Sequence, residues 1–153
     1  MDIIQIRRIL LQLVSALKYE KYDAEKSDLL NFLLQKSLLD SRLASLFYWH
    51  VCVECDSEGT DFKARPYLRF VRGWYETIRK KMLKTLEEGS RNDIYPLINC
   101  QIEFRDNIQL VNKEILAKAK TTDEKIKMLR EKLKHNEYFK DLKNLTKDKN
   151  LFI

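Results

Sequence analysis

Apolar residues recur along this chain at intervals of three and four, the signature of helices that bury one face. Ile6, Leu10, Leu13 and Leu17 predict a first helix from Ile3 to Lys18. A charged connector, Tyr19 to Lys26, separates it from a second helix over about residues 29–39, capped by Ser27 or Asp28. Leu29, Leu30, Phe32, Leu33, Leu34, Leu38 and Leu39 make that helix apolar nearly all round, so neighbours must cover it on several sides. Asp40 or Ser41 caps a third helix, with a stripe of Leu43, Leu46, Phe47, His50 and Val53.

Asp56 to Lys63 is polar, contains Gly59 and reads as a loop. A long helix follows over about residues 65–88. Pro66 fits its first turn, and Leu68, Val71, Tyr75, Ile78, Met82 and Leu86 share one face. Gly89 to Asn92 ends it. The next helix runs from about Asp93 to Lys120, with Leu97, Phe104, Ile108, Val111 and Ile115 in its stripe. Thr122 or Asp123 caps another, which turns Ile126, Leu129 and Leu133 inward. Glu137 to Leu142 reads as a short last turn, and Thr146 to Ile153 has no period. The connectors are short, so the pattern predicts an all-α fold: an antiparallel bundle or partial α-solenoid of six to seven helices. Self-similarity at a period of about 30–45 residues, the mark of a regular solenoid, is not visible.

Composition narrows the classes. The chain has 153 residues, with 23 leucines against five valines and only three glycines and two prolines. Too few β-branched and turn-forming residues remain for a sandwich or barrel. Hydrophobic content of 44% with 16 aromatic residues suffices for collapse, which argues against disorder. Charges interrupt every 18-residue window, excluding a membrane span. Arg7 and Arg8 inside the first apolar run do not fit a signal peptide, so the three cysteines read as free thiols in a reducing compartment.

Net charge is +6 but uneven. Residues 1–60 hold seven Lys/Arg against nine Asp/Glu, and residues 61–153 hold 22 against 14, so the halves carry about −2 and +8. The two signs are interspersed as on solvated helix faces. The run Arg79, Lys80, Lys81 and Lys84, which follows the aromatic segment Phe70 to Tyr75, is the one candidate for an anionic surface.

Candidate chemistry is sparse. His50, Cys52 and Cys55 supply three metal-ligand types, with Cys100 a conceivable fourth, but this CxxC lies in a helical stripe rather than a zinc knuckle. It also lacks the βαβ setting of a redox motif, and reads as buried thiols. His50 and Cys52, two apart, point away from each other on a helix and make a poor base–nucleophile pair; His135 lies elsewhere. Tyr48, Trp49 and Trp74 read as packing anchors. The three isolated glycines cannot form a phosphate loop, and Asp61-Phe62-Lys63 has lysine where a magnesium-binding Asp-Phe-Gly motif has glycine. Glu87 and Glu88 lie at a helix end. On these criteria the chain has no catalytic, cofactor-binding or metal-binding residues of its own.

Two stretches carry a resemblance. Leu11-Gln12-Leu13-Val14-Ser15-Ala16-Leu17-Lys18-Tyr19-Glu20 resembles the "LxQLVQALKYE" helix of phosphatidylinositol 3-kinase helical (accessory) domains. Residues 28–55, DLLNFLLQKSLLDSRLASLFYWHVCVEC, resemble the following pair, "FLLxRAL" and "LAxxLYWYxxVE". The Val51-Cys52-Val53-Glu54-Cys55 ending favours the class III, vacuolar-sorting branch, and Phe139-Lys140-Asp141-Leu142 resembles the approach to the kinase amino-terminal lobe. The likeness is strong over about residues 8–56. The family's membrane-binding β-sandwich, the first half of its helical domain, its kinase domain and the insertion after Lys-Tyr-Glu have no counterpart here.

The resemblance implies that residues 1–145 are the C-terminal part of a helical domain, and 146–153 a tail or linker toward an absent kinase domain. It implies a non-catalytic scaffold within an enzyme that makes phosphatidylinositol 3-phosphate for endosomal and vacuolar trafficking and autophagy. ATP and magnesium belong to the absent kinase domain. The implied partners are that kinase domain and a regulatory protein-kinase-like subunit. The implied location is cytoplasmic, peripheral to endosomal membranes through the complex, with no nucleic acid bound. A free-standing helical interaction module, or a basic bundle binding nucleic acid or acidic lipid, remains an alternative. Leu13, Leu17, Leu33, Leu34, Leu46, Phe47 and Trp49 are the expected core.

Overall fold

The computed structural model describes residues 1–20, 22–56, 66–89 and 93–146, the side chains of Pro66 and of 142–146 excepted. The architecture is all-α. Eight α-helices appear among the described residues: α1 (Ile3–Arg8), α2 (Leu10–Ala16), α3 (Asp28–Ser37), α4 (Ser41–Cys55), α5 (Pro66–Gly89), α6 (Ile94–Lys118), α7 (Thr122–His135) and α8 (Glu137–Thr146). A 3-10 turn, Leu17–Tyr19, finishes α2.

The count exceeds the expected six to seven for two local reasons. The first helix is broken at Ile9, whose backbone (φ −112°, ψ 13°) leaves the helical region; its N–H bonds back to the Ile6 and Arg7 carbonyls. The last turn extends to Thr146 instead of stopping at Leu142. The charged loop from Asp56 lies almost wholly outside the described residues, as do 90–92 and the tail beyond Thr146.

Local chemistry sets the helix starts. Asp2 and Gln5 form a reciprocal capping box on α1. The buried Ser27 hydroxyl accepts from Leu30 N–H at 3.1 Å, and Asp40 accepts from Leu43 N–H at 2.7 Å. Thr121, not Thr122 or Asp123, caps α7, because only Thr121 has a glutamate three residues on to complete the box.

The chain divides into two compact units, residues 1–98 and 99–153, with the boundary inside α6. In the first unit α4 is the central helix and packs against α1, α2, α3 and α5. Its core is Ile6, Leu10, Val14 and Leu17 from the first segment, Leu30, Leu33 and Leu34 from α3, and Leu43, Phe47, Tyr48 and Val51 from α4. Tyr75, Ile78, Met82 and Leu86 of α5 complete it as expected. Leu17, Leu33, Leu34 and Phe47 are thus core residues.

Three of the expected core positions are not. Leu46 is 44% exposed, and Leu13 and Trp49 are only half-buried. The stripe of α4 is rotated by about one residue: Phe47, Val51 and Cys55 face inward, and Leu46 and Val53 face solvent. A period of three and four admits either phase, because apolar residues sit side by side at 46 and 47. In α2 it is Val14, next to Leu13, that is buried with Leu10 and Leu17.

Three side chains of α5 then reach back across more than fifty residues. Trp74 Nε1 donates to the Leu17 carbonyl at 2.8 Å, and the Tyr75 hydroxyl to the Val14 carbonyl at 2.6 Å. Lys81 Nζ donates to the Ala24 carbonyl at 2.7 Å and to Glu25 at 3.0 Å. The Val14 and Leu17 carbonyls already accept the Leu17 and Glu20 N–H groups, and α5 gives each a second donor and reaches the connector beyond. Losing one such bond costs about 0.5–1.5 kcal/mol.

In the second unit Val111, Ile115, Ala119 and Phe139 form the core, with Phe104, Ile108, Met128 and Tyr138 packed against it. Phe139 meets Phe104 edge-on, centroids 6.4 Å apart. Ile126, Leu129 and Leu133 of α7, expected inward, are instead 40–44% exposed. Met128 is the α7 residue that packs against the core cluster, so α7 is turned by about one residue from the phase its leucines suggest.

The phase of α4 yields a direct test. Phe47→Ala is expected to lower unfolding stability by about 3–5 kcal/mol, and Leu46→Ala by about 0.5 kcal/mol or less. Chemical denaturation of both variants checks this, and equal costs would contradict the burial pattern.

Candidate functional site

The densest cluster of polar chemistry lies on the seam between α4 and α5. Tyr48, Cys52 and Cys55 fall at spacings of four and three on α4, and Glu76 and Arg79 at three on α5, so each set shares a helix face. Arg79 donates to one Glu76 oxygen through Nη2 at 2.9 Å and through Nε at 3.2 Å. It also hydrogen-bonds Tyr48, which shares a further bond with Cys52. The Cys55 thiol bonds Glu76. Two half-exposed charges and three buried side chains thus form one connected network.

Its electrostatics oppose reactivity. Burial, the nearby Glu76 carboxylate and Cys52 push the Cys55 thiol up to about 12. Burial chiefly, and then Cys52, push the Tyr48 phenol up to about 12. A thiolate is the nucleophile and the metal ligand, and this environment disfavours it. Burial works against the Glu76 carboxylate, but the hydrogen bonds and charge of Arg79 outweigh it and hold the group below its usual range. Burial likewise works against the Arg79 charge, and the bonds to Glu76 and Tyr48 raise its affinity for the proton.

The metal-ligand types noted in the sequence do not converge. Cys52 and Cys55 are buried at the α4–α5 seam, His50 is half-exposed on another face of α4, and Cys100 belongs to the second unit. Among the described residues no three His, Cys, Asp or Glu side chains form a metal-sized group. Trp74 and Tyr48 are buried packing residues, as read, whereas Trp49 is half-buried with its ring edge-on to Tyr48.

The basic run on α5 also divides. Arg79 turns inward to Glu76 and Tyr48, and Lys81 is engaged by the connector, leaving Lys80 and Lys84 exposed. Four consecutive-looking cations therefore do not make one anion-binding face. Glu76 was the residue sequence reasoning missed. Its signal was the three-residue spacing to Arg79, a spacing that forms ion pairs on helices.

The geometry is thus that of a helical scaffold with its polar groups satisfied internally; no buried side-chain donor or acceptor among the described residues lacks a partner. Residues 1–88 match the model of the phosphoinositide 3-kinase family, accessory domain (PIK domain). The chain belongs to this family. The match covers α1 to α5 up to the last residue of α5, and so lies wholly within the first compact unit. The accessory-domain chain is similar to phosphatidylinositol 3-kinase VPS34 of Arabidopsis thaliana, 29% identical over 132 residues. It is 31% identical over 134 residues to the root isoform of phosphatidylinositol 3-kinase of Glycine max. Each alignment covers 84% of this chain and 15% of the relative, so the chain spans about one-seventh of their length. No helix among the described residues is long and apolar enough to cross a membrane.

Two measurements test the seam of this accessory domain. At pH 8, a disulfide reagent is expected to modify Cys100 readily, and Cys52 and Cys55 only after denaturation; fast labelling of all three would contradict their burial. Glu76, depressed in the folded chain, contributes stability above its unfolded pKa and loses it as pH falls through the folded value. Glu76→Gln is therefore expected to be less stable at pH 7, with the gap closing in acid. Parallel thermal melts from pH 7 to 3 check the sign.

Proposed function

We propose that this chain is a non-catalytic helical scaffold of a class III-type phosphatidylinositol 3-kinase. The match of α1–α5 to the accessory-domain model is the observation that carries the reading. The two plant relatives, both phosphatidylinositol 3-kinases, support it. A rigid unit with its polar atoms internally paired suits a part that holds other modules in position rather than one that performs chemistry.

In this reading a kinase domain outside the chain binds ATP and magnesium and phosphorylates phosphatidylinositol at the 3-position. The accessory domain presents helix faces to that domain and to a regulatory protein-kinase-like subunit. The assembly acts in the cytoplasm at endosomal membranes, in vesicle trafficking and autophagy, and reaches the membrane through the complex. The split basic run on α5 supports this over a nucleic-acid-binding bundle, which would need a continuous cationic face.

The purified chain, given phosphatidylinositol vesicles, ATP and magnesium, is expected to form no 3-phosphorylated lipid. Turnover by the chain alone would overturn the scaffold reading. Coding sequence beside this frame for Asp-Arg-His and Asp-Phe-Gly motifs is the expected genomic context, and its absence would favour a free-standing interaction module.

A further inference from the structure

The second unit carries an open apolar groove between α6 and α7. It has a volume of about 520 Å³, and its lining includes Ile108, Val111, Ile115, Ile126, Leu129 and Leu133. The three α7 residues are 40–44% exposed, although each is large and apolar. Met128 of α7 packs on the cluster that holds Phe139 of α8, so Ile126, Leu129 and Leu133 are left to line the groove.

Charge around the groove is predominantly positive. Of the nearby carboxylates, Asp106 pairs with Arg105, Glu114 with Lys132, and Glu124 accepts the Lys120 and Thr121 N–H groups, while Asp123 and Glu131 of α7 are exposed. Lys125 lines the groove. Arg130 lies one helical turn from both Ile126 and Leu133, and Lys113 one turn from both Gln109 and Leu116. Among the described residues no carboxylate pairs with Lys113, Lys125 or Arg130.

We propose that the α6–α7 groove docks an amphipathic helix of a partner protein, with an apolar stripe flanked by carboxylates. The groove supplies the apolar floor for anchors at i, i+3 or i+4, and i+7. Ile108 to Ile115 spans seven residues, about 10 Å of helix axis, which matches the rise between the first and last anchors. The unpaired cations select the sign of the flanks and speed encounter. This inference rests on the second unit alone, which lies beyond the residues matched by the family model, and its test reads peptide binding and not lipid phosphorylation.

The probe is a labelled helical peptide of about 15 residues, with leucines at the three anchor positions and glutamates on both flanks. A second peptide replaces every glutamate by lysine. Fluorescence anisotropy with the full chain is expected to show saturable binding of the acidic peptide, weakening as salt rises, and at least tenfold weaker binding of the basic one. Leu129→Glu is expected to reduce acidic-peptide affinity at least tenfold with an unchanged circular dichroism spectrum. Lys125→Glu provides the same test at a half-exposed, already charged position if that variant does not fold. Equal affinity for both peptides, or binding of neither at low salt, would overturn the proposal. So would a dimer in sedimentation that Leu129→Glu dissolves, because the groove would then belong to a second copy.

Discussion

The first unit depends on donors from α5 meeting the carbonyl end of α2. The Val14 and Leu17 carbonyls already accept the main-chain N–H groups of Leu17 and Glu20, and a carbonyl oxygen has a second lone pair to offer. Trp74 and Tyr75 fill that second position while contributing large apolar surfaces to the core. Because each is both donor and filler, the position of α5 along α4 is fixed by hydrogen-bond geometry as well as by packing. Lys81, two turns further on, ties down the connector that follows α2.

That constraint explains why the remaining polar groups are quiet. With α5 set against α4, Glu76 and Arg79 come opposite Cys55 and Tyr48, and the polar atoms pair across the seam. Burial above all keeps the thiol and the phenol in their protonated forms, so a seam aligned by this ion pair provides no nucleophile. The cysteines that look like a chemical motif in the sequence are, in the fold, small packing residues with hydrogen bonds.

Much of this was legible in the sequence, and the exceptions share one cause. Helix type and approximate extent follow from apolar spacing, and the starts at Ser27 and Asp40 from their capping side chains. What spacing cannot supply is phase. At Leu46 and Phe47, and again at Met128 and Leu129, two adjacent apolar residues could each face inward. The choice is made by packing partners that the local pattern does not contain: α5 for α4, and the Val111–Phe139 cluster for α7. The division of the basic run has a related origin, since Arg79 pairs with Glu76 of its own helix and Lys81 with the connector after α2.

The atoms that receive Trp74, Tyr75 and Lys81 include the main-chain oxygens of Leu17, Val14 and Ala24. Every amino acid carries such an oxygen. Exchanges at those three acceptor positions therefore leave the fastening points in place, provided the backbone path holds. The hydrogen-bonding information sits asymmetrically, in the indole, phenol and ammonium on one helix, whereas Val14 and Leu17 are held to apolar residues by their burial and not by the bonds their oxygens accept.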